Sequence, residues 1–386
     1  MTITAIRETT VSLSANMRNA GIAYDAMTAS AVVIETGTSV AGQPLIGRGF
    51  DSIGRYGHGA LLQERFIPRL ANADPAQLQD TNGQIDPAAC WNVMMADEKP
   101  GGHGERAGAV GVLDMALWDL RAKQRGEPAW RTIADYYDRS GDPQIKLYTT
   151  GGHYADDPAE TGQLVTALKQ AHGSGHRRFK IKIGGASRAI DRQRIEAALT
   201  VAGDGNLAVD ANGIWDPETA SEWLADLDSY PLAWIEEPVS PLDYAGLSTV
   251  SGRHMTPIGT GENLFSFDDA RNLLRHGGLR ANRDWLQFDI SLSYGLPEFV
   301  RIVQVFEDNG WSTGRFAPHA GHHLALHTVA ALRLGMAETA MNQSIAIAAL
   351  PAGIPVVEGT ITLPDAPGFG IEQTPSLLQC FDDLLN

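Results

Sequence analysis

Two cysteines in 386 residues, Cys90 and Cys380, are too few for a disulfide framework, and they lack metal-ligand spacing. A reducing compartment fits that scarcity. Positive charge is also short: 30 Lys and Arg face 46 Asp and Glu, a net charge of −16. Nucleic acid is therefore not an expected partner, because phosphate binding needs basic patches. An anionic small molecule stays open, since a pocket's local charge or a bound metal can oppose the total. No apolar run approaches the roughly 18 residues of a membrane span. The opening MTITAIRETTVSLSANM has neither the basic start nor the apolar stretch of a signal peptide. A cytoplasmic protein with no membrane partner is expected.

What is present is a change of texture along the chain. ITAIRETTVSL and ASAVVIET are rich in β-branched residues and read as strands joined by a loop. GQPLIGRGFDSIGRYGHGA is dense in glycine, and LLQERFIPRLANADP after it reads as helical. A long helix is predicted from about Glu105, ERAGAVGVLDMALWDLRAKQRG, ending at Gly126. Its small residues Ala107, Gly108, Ala109, Gly111 and Ala116 would let another backbone come close. From about residue 145 the pattern becomes strand, turn, helix, repeated seven or eight times. That rhythm predicts an α/β fold with a parallel sheet, and the number of units favours a closed (β/α) barrel of the TIM type.

The barrel reading gains force from polar residues at the predicted strand ends. Lys182, Asp210, Glu236, Glu262, Asp289 and His319 follow one another at separations of 26 to 30 residues. One β/α unit per step puts them at one height, the C-terminal rim where barrel enzymes collect their catalytic groups. In RFKIKIGG, Phe179, Ile181 and Ile183 alternate with Lys180 and Lys182, so both lysines share one face. A solvated strand face would explain a lone K-x-K; membership in the ring favours an active site, where Lys180 would lower the pKa of Lys182.

Asp210, Glu236 and Glu262 together call for a cation, since three crowded acids do not all ionise without one. An oxygen-only ligand set suits Mg2+. Any one of these carboxylates alone would more often be a helix cap. Glu237 is expected on the opposite side of its strand and is the weaker ligand. Asp289, one strand before His319, can fix that imidazole's tautomer. His322 and His323 fall at the start of the next helix and rank below His319.

The motifs KIKIG, VDANG, WIEEP, GTGEN, QFD and APHAG, in this order and spacing, resemble the enolase superfamily, and within it the mandelate racemase subgroup. GRGFDSIGRYGHGALLQERF, MMADEKPGGHGERAGAVGVLDMALWD and LPDAPGFGIE further resemble D-tartrate dehydratases. The resemblance implies a modified barrel over 141–355 with an α+β capping domain from 1–140, to which a C-terminal segment 356–386 returns. It also implies a Mg2+-dependent carbon–oxygen lyase acting on an acid sugar. Lys182 would serve as base and His319, aligned by Asp289, as acid, with Lys180 beside them. The proton α to a carboxylate would leave, then the β-hydroxyl, giving a 2-keto acid; from D-tartrate the product would be oxaloacetate. Another aldonic or aldaric acid, or an epimerisation or racemisation, remains the alternative, and which of Lys182 and His319 takes the proton stays open.

Substrate choice would fall to the cap. Arg18 and Asn19 share one loop, and Ser52, Arg55 and Tyr56 the next. Arg55 or Lys99 would clamp a second carboxylate, with Lys180 also at the substrate. His103 reads equally as structural. The apolar SIAIAALPAGIP offers few groups to a sugar's hydroxyls, which favours a short diacid. The expected partners are this small carboxylate and further copies of the chain.

Overall fold

The structure is a computed structural model describing residues 2–12, 18–24, 26–40, 42–53, 55–154, 160–341 and 350–385. The stretch 342–349, which takes in the first half of the apolar segment just quoted, lies outside these residues. Strands β1 (Ile3–Ser12), β2 (Thr28–Val40) and β3 (Gln43–Phe50) form an antiparallel sheet with β2 in the middle. Both faces of β2 are covered. Val32 and Ile34 pack with Val112 and Leu117 of helix Glu105–Arg125, while Ala31 and Val33 join Phe50 and Phe381 on the other side. Burial on two faces explains why AVVI is a continuous apolar run rather than an alternation.

β3 falls in the glycine-dense GQPLIGRGF. Its glycines serve packing: a Cβ at Gly47 or Gly49 would run into the backbone carbonyls of Ala116 and Val112. The strand lies directly on the small-residue stripe of the long helix, as close approach of two backbones requires. Gly111 of that helix faces the backbone of Ser291, so the stripe touches a loop of the second unit as well.

That unit is a ring of parallel strands: β4 (Gln144–Gly151), β5 (Phe179–Lys182), β6 (Leu207–Asp210), β7 (Trp234–Glu236), β8 (Ile258–Thr260), β9 (Trp285–Leu286) and β10 (Ala337–Ala340). They pair in the order β10-β4-β5-β6-β7-β8-β9. Phe316 closes the gap: it bridges Leu286 in parallel, and its carbonyl accepts from Gly335 N at 2.9 Å. Eight staves with intervening helices make the expected (β/α) barrel. The predicted strand around Phe316 is reduced to this single bridge. The last strand, expected around MNQSIAIAALPAGIP, comes just before that stretch as β10, four residues long and carrying buried Glu338 and Thr339. β11 (Thr360–Thr362) runs antiparallel beside β4, and helix Pro375–Leu385 returns to the first sheet, Arg7 donating to Leu384 O at 3.3 Å. Among the described residues no helix is long and apolar enough to cross a membrane.

Candidate active site

The strand register brings the rim residues level. Lys182 pairs with Asp210, and Asp210 with Glu236, across β5, β6 and β7. Oxygens of Asp210, Glu236 and Glu262 lie within 4.8 Å of one another, all three residues buried. Asp210 accepts from Lys182 Nζ at 2.5 Å and from Asn212 N at 2.8 Å. Glu236 accepts from Lys180 Nζ at 2.5 Å, from Trp234 Nε1 at 3.0 Å, and from Gln287. Glu262 Oε2 is buried without a hydrogen-bond partner. At the far side His319 Nε2 stands 3.5 Å from Glu262, and its Nδ1 donates to Asp289 Oδ2 at 3.0 Å. Lys182 and His319 thus occupy the two ends of the carboxylate arc.

The charge balance fits a divalent cation. Six carboxyl groups, Asp210, Glu236, Glu237, Glu262, Asp289 and Glu338, are buried around two lysines and one histidine. Burial drives Asp210 and Glu236 above the usual carboxylate range even against the lysines beside them. Glu262 Oε2, buried without a hydrogen bond and with only His319 Nε2 at 3.5 Å, is an acceptor that an oxygen-loving ion would satisfy.

Two expectations need correcting. Burial, and Lys180 as expected, act to lower the pKa of Lys182, but Asp210 together with Tyr24 and Glu262 outweighs them and holds Lys182 above the usual lysine value. Glu237 does not turn away. Its φ of 39° ends the strand's alternation, and its carboxyl group accepts both Asn263 contacts at 2.9 and 3.1 Å. Burial and then the charges of Glu262 and Asp210 push it well above the normal carboxylate range. For His319, burial is outweighed by Glu262, Asp289 and Glu338, and its pKa rises to about 9.

Several participants were not foreseen. Glu338 on β10 lies 3.3 Å from Lys180 and accepts from Tyr148 at 3.0 Å and Ala320 N at 2.9 Å. Lys180 and His319 together overcome burial and lower its pKa to about 2. It follows His319 by only 19 residues, so the strand-end spacing does not reach it. Gln287 shares the inward face with Asp289, a signal that alternation within QFD contained. Tyr24 and His153, which meet edge to face at 6.1 Å, both feel the charge of Lys182; no pattern marked either.

The cap residues divide. Asn19 is buried and donates to Tyr24 OH at 3.1 Å, and the Arg18 carbonyl accepts from Tyr154 N at 3.2 Å, seating this loop against the barrel. Arg55 stands 6.0 Å from the Phe265 ring and acts electrostatically on Tyr24. Ser52 is fully buried and its hydroxyl donates to Asp289 Oδ2 at 2.5 Å, the same oxygen His319 uses. Tyr56 and Lys99 are exposed. His103 Nδ1 pairs with Tyr294 OH at 3.0 Å. His322 bonds the Phe50 carbonyl at 2.8 Å and His323 packs on the Phe50 ring, so both serve the contact between cap and barrel.

Residues 163–376 match the family model described as Enolase C-terminal domain-like. The L-talarate/galactarate dehydratase of Salmonella typhimurium is 30% identical over 243 residues, 63% of this chain and 58% of that protein, so the match spans less than two thirds of the relative. The 3,6-anhydro-alpha-L-galactonate cycloisomerase of Streptomyces coelicolor is 28% identical over 303 residues, 78% of this chain and 77% of the relative. The crystal structure of L-talarate dehydratase from Polaromonas sp. JS666, complexed with Mg and L-glucarate, aligns with a TM-score of 0.76 at 27% identity, covering 95% and 92% of the two chains. These names replace the narrower likeness to D-tartrate dehydratases with a broader one.

Proposed function

Because the chain belongs to the Enolase C-terminal domain-like family, we propose that it is a Mg2+-dependent dehydratase of acid sugars. The observation that carries this reading is the placing of Lys182 and His319 at opposite ends of the Asp210–Glu236–Glu262 arc. Those three carboxylates would hold the ion. Bound there, Mg2+ would stabilise the negative charge gathering on the substrate carboxylate as its α-proton leaves, and would neutralise the Asp210 charge that otherwise keeps Lys182 protonated. Lys182 then takes the α-proton from one face, with Lys180 holding Glu236 in place. His319, kept in one tautomer by Asp289, delivers its Nε2 proton to the departing β-hydroxyl on the other face. Water leaves and the enol collapses to a 2-keto acid.

For the substrate we favour an aldaric acid, because a cation at the cap end suits a second carboxylate. Arg55, beside Tyr24 and Phe265, is our choice for that contact. D-tartrate to oxaloacetate is the four-carbon case; the talarate/galactarate relative makes the longer diacids its rivals. Epimerisation would use the same two groups, and the cycloisomerase relative keeps non-dehydrating chemistry in view. A screen of tartrate isomers, malates, hexarates and aldonates for 2-keto acid release tests the reading. Release from a diacid that stops on chelation and returns with Mg2+ is the expected result; activity surviving metal removal, or α-epimers without keto acid, would overturn it.

A further inference from the structure

The barrel has a second mouth, where its strands begin. A cavity of about 730 Å3 opens there, lined by Gln144 and Lys146 of β4, Arg178 just before β5, Trp234 of β7, Trp285 of β9 and Met336 just before β10. Its charge runs against the rest of the molecule. In a chain with a net charge of −16, this lining carries Lys146, Arg178, Arg283, Arg315 and Arg333 against the single carboxylate of Asp142.

A purely structural ring would match cations with acids, and one member does so: Arg283 Nε lies 2.6 Å from Asp284 Oδ1. Arg315 is held in place, donating to the carbonyls of Asn282 at 2.6 Å and Arg283 at 3.2 Å with its guanidinium 5.1 Å from the Trp285 ring centre. Neither carbonyl neutralises it. Lys146, Arg178 and Arg333 form no ion pair with any described carboxylate. Four cations around one concavity repel one another, and low-dielectric walls focus their field outward through the opening.

We propose that this mouth is a binding site for a small multivalent oxyanion, a polycarboxylate or a phosphate ester. Guanidinium forks, of which that of Arg315 is held in place, suit planar carboxylate and tetrahedral phosphate oxygens, which accept two bonds at once. The volume is in the range that holds a small organic ligand, roughly 300–1,000 Å3, and exceeds what a lone inorganic ion fills. Trp285 offers the ligand an apolar wall. The site is separate from the carboxylate arc, so it stands or falls independently of the dehydratase reading.

Calorimetric titration of the Mg2+-saturated protein, with Mg2+ in excess, tests the site with citrate and with inorganic phosphate. At least one probe should bind, more weakly as NaCl is raised, and the variant Arg178→Ala/Arg333→Ala should weaken it at least tenfold while turnover of the acid substrate is unchanged. Preference for citrate assigns a polycarboxylate, preference for phosphate a phosphate ester. Should the double variant fold poorly, exposed Arg333→Ala alone should still weaken binding several-fold. No binding to the wild-type protein, or binding that these variants leave intact, would refute the site.

Discussion

At the scale of single residues, the cap reaches the candidate catalytic histidine through one hydroxyl, and the neighbour of that hydroxyl is itself clamped. Asp51, next to Ser52, accepts from His58 Nδ1 at 2.8 Å, while His58 Nε2 stands 3.0 Å from Glu105. Burial works against the imidazolium, yet Asp51 and Glu105 outweigh it and raise His58 to about 9. A folded-state pKa above the unfolded one means that the clamp's full contribution is present below about pH 6.5 and is lost as pH rises through about 9. A shift of that size corresponds to about 3 kcal/mol. Urea denaturation should show the wild-type protein losing stability across that window and His58→Gln losing much less. Equal pH slopes for both proteins would mean that His58 is not charged in the fold. Sequence placed Ser52 and Arg55 in a loop over the barrel, but nothing in GFDSIGRYGHG signals that one side chain faces Asp289 while His58 turns inward to Asp51.

Among elements, what proved legible was whatever repeats. The barrel announced itself because each β/α unit costs a similar number of residues, so rim groups recur at near-constant spacing. Elements shaped by a neighbour were not legible: glycine disfavours strands, and β3 nevertheless carries Gly47 and Gly49 because helix Glu105–Arg125 occupies the space their side chains would take. The small residues of that helix showed that something comes close without showing what. Gly49→Ala should therefore destabilise by roughly 1–3 kcal/mol through overpacking against backbone, read as a lower denaturation midpoint. Half-buried Gly104→Ala, with open space around its Cβ, serves as the control. Glu338 of β10 escaped notice for a related reason: it looks like a surface residue until the ring closes around it and Lys180 and Tyr148 supply its partners.

On the scale of the whole molecule, the ring order decides how the chemistry is divided. Lys182 comes from the second stave and His319 follows the seventh, with the three carboxylates on the third to fifth between them. A substrate carboxylate seated at that arc would meet one group on each side, and neither group contacts the other: Lys182 bonds Asp210, whereas His319 leans on Asp289, itself braced by the cap through Ser52. Removing one group should consequently leave the other's orientation intact, and the two half-reactions become separable. In deuterated solvent, Lys182→Ala should lose both exchange of the substrate's α-hydrogen and keto acid release. His319→Asn, whose side chain can still hydrogen-bond but cannot donate a proton as imidazolium does, should retain exchange while keto acid release falls by at least 100-fold, the range expected for a lost general acid. Exchange lost with His319→Asn and kept with Lys182→Ala would reverse the assignment, because it would place the proton-abstracting base on the Asp289 side of the ring.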